Sequence, residues 1–155
     1  MKKMHYEVVI NAPREKVYKT MLEDATYREW TAAMTADMGI AGWAEGDWSE
    51  GSTMRFIGPD PSNKENLSGM IARVAKNVPN EFVSLESTGM IMNGVEDTSS
   101  EAVQGWLGAK EEYTFKDVDG GTELSVDQDT APEFEEDFSK MWPKGLAKLK
   151  EICER

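Results

Sequence analysis

The end of the chain constrains the fold most. In "APEFEEDFSKMWPKGLAKLKEICER", Phe134, Phe138, Met141, Trp142, Gly145, Leu149 and Ile152 recur at helical spacing. Acids gather in the first turns and lysines toward the end, as the helix dipole prefers. One long amphipathic helix is predicted, and its apolar stripe needs a cover. Pro143 removes a backbone donor and should bend this helix, with Gly145 easing the bend.

The preceding residues supply that cover. "KKMHYEVVI" sets Tyr6, Val8 and Ile10 on one side of a strand. "NAPREKVYKTML" then reads as a helix with Asn11 as candidate cap, Pro13 in the first turn and an apolar stripe of Val17, Met21 and Leu22. "ATYREWTAAM" gives a second short helix with Tyr27, Trp30 and Met34 on one face. After Asp37 turns and strands take over. Two strands join around "EGDWSEG", two long ones turn at "NVPN", and "WLGAKEEYTFKDVDGGTELSVDQDT" is a hairpin turning within "DVDGG". On its second arm Leu124, Val126 and Gln128 alternate with Glu123, Ser125, Asp127 and Asp129, so one face is covered. The only element long enough to cover such a sheet is the closing helix. The expectation is a single α+β domain over 1–155: a curved antiparallel sheet of six to seven strands wrapped around the long C-terminal helix, with two short helices after the first strand.

Composition narrows the function classes. A chain of 155 residues can bury one core without metals or disulfides. The net charge of -12 repels phosphate backbones and anionic headgroups, which argues against nucleic acid and membrane surfaces. The first apolar run is short and interrupted by His5 and Glu7, a strand rather than a signal peptide, and no membrane span is expected. Cys153 is the lone cysteine, so no internal disulfide forms, and a cytoplasmic location is the expectation. It falls in the last helical turn, where the dipole raises a thiol pKa. With His5 the lone histidine, the nitrogen and sulfur ligands of a metal site cannot be assembled, and "SVDQDTAPEFEED" lacks the EF-hand spacing. No GxSxG elbow and no phosphate-binding glycine loop occur, so neither metal nor cofactor is expected.

One carboxylate stands out. In "WLGAKEEYTF", Leu107, Ala109, Glu111, Tyr113 and Phe115 share one strand face, while Lys110, Glu112 and Thr114 share the other. A cavity-lining Glu111 would have a raised pKa and could orient a polar ligand group or move a proton with Tyr113; the plainer alternative pairs it with an arginine such as Arg55 or Arg73, or lets it reach water at the cavity mouth. Gln128 falls on the covered face. Trp30, Met54, Phe56, Met70 and Met90, with Trp106, Phe138, Met141 and Trp142, come from several elements and fit either a pocket lining or plain core. Trp48, in the turn, is expected exposed or at a rim. The segment 93–105, "NGVEDTSSEAVQG", is a candidate lid or a mere connection.

The order of elements, together with "INAPREKVYKTMLEDATYREWT", "GDWSEGSTMRFIG", "VPNEFVSLESTGMIMNGVED", "EEYTFKDVDGGTELSV" and "MWPKGLAKLKEICE", resembles the SRPBCC (START-like, Bet v 1-like) superfamily. Within it the chain is similar to the AHSA1-like branch, that of the C-terminal domain of the Hsp90 ATPase activator Aha1. The resemblance covers nearly the whole chain and implies the helix-grip fold, with a cavity between sheet and closing helix. It fixes no activity, since the superfamily includes lipid and hormone carriers, polyketide cyclases, dioxygenase subunits and co-chaperone domains. The expected function is binding of a small apolar or amphipathic molecule, as carrier or sensor. The alternatives are a co-chaperone-like module that meets a protein partner, and a cyclase- or hydratase-type enzyme using Glu111 as general base.

Overall fold

The computed structural model describes residues 1–155. Strand β1 (Lys2–Ile10) leads into helices α1 (Arg14–Leu22) and α2 (Asp24–Met34), then a 3-10 turn at Ala36–Met38. Strands β2 (Trp43–Glu45), β3 (Thr53–Asp60), β4 (Asn63–Val78), β5 (Phe82–Met92) and β6 (Val95–Asp97) follow. A helical turn α3 (Glu101–Gln104) precedes the hairpin of β7 (Lys110–Val118) and β8 (Gly121–Thr130), and helix α4 (Glu135–Cys153) closes the chain.

All strands lie antiparallel in one sheet of order β1-β8-β7-β5-β4-β3-β2, with β6 added to β5. Strict alternation on β8 buries Thr122, Leu124, Val126, Gln128 and Thr130, and register carries that inner face sideways. Tyr6, Val126, Tyr113 and Val83 form one row, and Met4, Gln128, Glu111 and Leu85 the next. Against this face lies α4, whose buried residues Trp142, Leu146, Leu149 and Ile152 recur at helical spacing. The core so formed includes Val17 and Met21 of α1, Trp30 of α2 and Met54 of β3.

Four expectations are corrected by this packing. Asn11 does not cap α1: Pro13 stands at the N-cap position, and the Asn11 amide donates instead to Glu154 Oε2 at 2.8 Å, tying the helix start to the end of α4. The sheet has eight strands. The eighth, β6, falls within 93–105, because β7 pairs only with Phe82–Glu86 of β5 and leaves the edge at Met90–Met92 open. Pairing that edge satisfies backbone groups that would otherwise stay open.

Trp48 is buried, not at a rim. Its φ of 63° lies in the left-handed region, which turns the indole inward to within 6.0 Å of the Tyr27 ring and 5.6 Å of Phe56. Asn77 Nδ2 clamps the Trp48 carbonyl at 2.9 Å. Burial of a large aromatic surface offsets the roughly 1–3 kcal/mol that such backbone costs. Gly145, finally, serves close approach: a Cβ there would fall 2.6 Å from Met34 Cγ, so its absence lets α4 and α2 touch. The helix runs through Pro143, which sits on the solvent side, where a missing donor costs least.

Candidate functional site

The inner face of the β7–β8 hairpin carries a polar group of four side chains amid apolar ones. Glu111 and Gln128 are direct cross-strand partners. Gln128 Nε2 donates to Glu111 Oε1 at 2.8 Å, and the Tyr113 hydroxyl donates to Glu111 Oε2. From the facing helix, Trp142 Nε1 donates to Gln128 Oε1 at 3.0 Å. Gln128 is the hub, because its amide both donates to the acid and accepts from the indole, which sets its orientation. Thr130 Oγ1 makes a longer contact of 3.4 Å to the same Gln128 oxygen.

Glu111 is half-buried and belongs to no ion pair; Arg55 pairs with Glu96 and Arg73 with Glu86, both at the outer surface. The arginine pairing entertained from the sequence is thereby excluded. Burial pushes the Glu111 carboxyl up, against the opposing effect of the bonds from Tyr113 and Gln128. The Tyr113 phenol is pushed up by burial and by the nearby Glu111 charge, and the Tyr27 phenol by the same two causes. Tyr27, which the sequence marked as helix-face packing, sets its ring edge-on to Trp30. Aromatic rings enclose the group: Tyr113 lies 6.4 Å, Tyr6 6.1 Å and Trp30 6.0 Å from Trp142, and Tyr27 lies 5.4 Å from Trp30. The Tyr6 hydroxyl is buried without a hydrogen-bond partner, an unused polar atom at the edge of this group.

The other candidate residues fall into two sets. Trp30 and Met54 join Tyr113 and Trp142 in the buried core. Phe56, Met70 and Met90 are half-buried and stand opposite one another on β3, β4 and β5, in a single row. Phe138 and Met141 are half-buried on the first turns of α4, and Trp106 is half-buried with its ring 5.7 Å from Phe134. Leu107 and Ala109 precede β7 rather than belonging to it, and Leu107 is 38% exposed, so the apolar row of that strand begins at Glu111. Within 93–105, Val103 is fully buried and Asp97 accepts from the amides of Ser99 and Ser100. That segment is folded onto the sheet, and the backbone at Asp97 and Thr98 packs where a side chain on Gly89 would stand.

Two surface concavities lie elsewhere. One, of about 290 Å³, runs between Tyr18 and Leu22 of α1 and the turn at Asp47–Ser49. The other, of about 270 Å³, lies between Tyr6 and Val8 of β1 and Pro143 and Leu146 of α4. None of the pocket residues expected from the sequence lines either one. No helix is long and apolar enough to cross a membrane.

With this geometry in hand, similar proteins locate the fold. A protein from Chromobacterium violaceum is similar to this chain with TM-score 0.73 at 18% identity, over 99% of this chain and 97% of that one. The solution structure of an Aha1 dimer from Colwellia psychrerythraea aligns with TM-score 0.68 at 19% identity, over 99% and 97%. That of an AHSA1-like protein from Aeromonas hydrophila aligns with TM-score 0.71 at 14% identity, over 99% and 92%. At such identities these structures share the helix-grip fold and nothing more specific. No curated relative matches the chain. The family model of "Activator of Hsp90 ATPase homolog 1-like protein" matches residues 11–154. The chain belongs to the AHSA1-like family.

Proposed function

We propose that this protein binds a small apolar or amphipathic ligand between the sheet and α4, as a carrier or sensor. The observation that carries the reading is a carboxylate held by neutral donors on the same sheet whose other strands carry the half-buried row of Phe56, Met70 and Met90. Polar groups of this kind fix the orientation of a ligand, whereas methionines reshape around its apolar body. Phe138, Met141 and Trp106 complete the adaptable wall, and Trp30 and Met54 its base. A neutral solvatochromic apolar dye, Nile red, tests this directly. Saturable binding to the folded protein that weakens at least tenfold in Phe56→Ala supports the site; binding that is unchanged in Phe56→Ala and Met70→Ala removes it.

A second reading is a protein-binding module of co-chaperone type. The family description favours it, as do Met92 and Val95, which face one another across the β5–β6 turn at 48% and 66% exposure. Leu67, whose carbonyl accepts from the Gly94 amide, extends that patch. Isothermal titration against an Hsp90 chaperone is its test. A heat of binding abolished in Val95→Glu would favour this reading, and no heat with the intact protein would end it.

A further inference from the structure

We propose that the ligand's polar end is an organic ammonium group, which pairs with Glu111 and rests against the faces of Tyr27, Tyr113 and Trp142. This rests on the ligand-binding reading above and names the chemistry of its polar end. The first ground is a charge without a partner. The two hydrogen bonds to Glu111 both come from neutral partners, the Tyr113 hydroxyl and the Gln128 amide, so neither brings a counter-charge. Arg55, Arg73 and Lys144 pair with Glu96, Glu86 and Asp37 at the surface. A carboxylate half-buried among apolar groups and lacking a counter-charge is an electrostatic deficit that a bound cation would fill.

The second ground is the kind of wall around it. Tyr27, Tyr113, Trp30, Trp142 and Tyr6 form a continuous set of rings with centroid spacings of 5.4–6.4 Å. Aromatic faces carry negative quadrupole density and attract ammonium groups, all the more where water is excluded. A ligand anion would meet Glu111 and the chain's net charge of -12 with repulsion, and a neutral apolar ligand would leave the acid unpaired. The half-buried state of Glu111 leaves part of its side chain within reach of a ligand. Ammonium at the carboxylate and an apolar body along Phe56, Met70 and Met90 makes the ligand a cationic amphiphile.

Two probes of one shape isolate the charge: benzyltrimethylammonium and its neutral carbon isostere, neopentylbenzene. Each is titrated into the intact protein at 150 and 500 mM salt, following the Trp142 indole N–H by NMR. The expected result is saturable one-to-one binding with the ammonium at least tenfold tighter than the isostere at both salt concentrations. Glu111→Gln should bring the two affinities together. Equal affinities in the intact protein overturn the inference while leaving the ligand-binding reading standing. An ammonium preference that survives in Glu111→Gln, or vanishes at 500 mM salt, assigns the effect to the acidic surface and also overturns it. Failure of both probes to move the Trp142 signal overturns this inference and counts against the ligand site together.

Discussion

Glu111 and Glu112 are adjacent in the chain and identical in chemistry, yet they occupy different solvents. Glu111 points to the inner face, where Tyr113 and Gln128 hold it and burial pushes its carboxyl up. Glu112 points to the outer face and accepts from Ser84 Oγ at 2.8 Å. The same division runs across the register to β8 and β1. Gln128 faces inward and is bound by Trp142, whereas Asp127 faces outward and accepts from His5 Nδ1 at 2.7 Å. The second ring nitrogen of His5 lies 3.2 Å from Glu7 Oε2, so both carboxylates favour the imidazolium and push its pKa up. A pleat of period two is all that separates the two environments. Inner polar groups are few, fixed and costly to disturb; outer ones are solvated and exchangeable.

The largest test of that contrast is Trp142→Ala, which removes a core indole and leaves Gln128 Oε1 with only the longer contact from Thr130. A loss of about 3–5 kcal/mol is expected in denaturant unfolding, against less than about 1 kcal/mol for Glu112→Gln on the outer face. Gln128→Leu comes next. It keeps the volume but strips Glu111 and Trp142 of a partner, which should cost about 1–3 kcal/mol for each group left unsatisfied. A Gln128→Leu protein as stable as the parent would show the inner group to be dispensable for folding.

Glu111→Gln sharpens the comparison through pH. Below the ordinary carboxyl value of 4.5 Glu111 is protonated folded or unfolded, and it adds no pH dependence. As pH rises from there toward the raised folded value, the unfolded chain releases the proton first, so stability falls. The Gln variant should lose that decline, seen as a flatter melting temperature as pH rises above 4.5, whereas Glu112→Gln should leave it in place. His5→Gln is the smallest effect. Because the folded pKa of His5 is raised, its pairing stabilises fully below 6.5 and is lost as pH rises through the folded value. At an exposed site this is worth a few tenths of a kcal/mol, roughly, and high salt should erase it.

Much of this architecture was readable in advance because it rests on periodicity. The alternation of β8 announced Gln128 as an inner residue, and that of β7 announced Glu111 and Tyr113, before any partner was known. The closing helix likewise declared its buried Trp142, Gly145, Leu149 and Ile152, whereas Phe134 precedes the helix and is exposed. Residues in turns were less legible. Trp48 sits among glycines and acids, where local signals favour exposure, and only the left-handed backbone and the Asn77 clamp send its ring inward. Gly145 looked like relief for a bend until α2 was seen to press against it. For β6 there was no local signal at all: three residues become a strand because β5 outruns β7.

By itself the sequence determined which side chains share a face, since strand and helix periods are local properties of the backbone. It also determined the acidic surface and the lack of a histidine–cysteine metal set. Tertiary structure alone decided what meets across the core: Gln128 with Trp142, Tyr27 with Trp48, and Glu111 with no cation at all. Such meetings depend on long-range register and on the placement of α4 over the sheet, and no local period encodes either one.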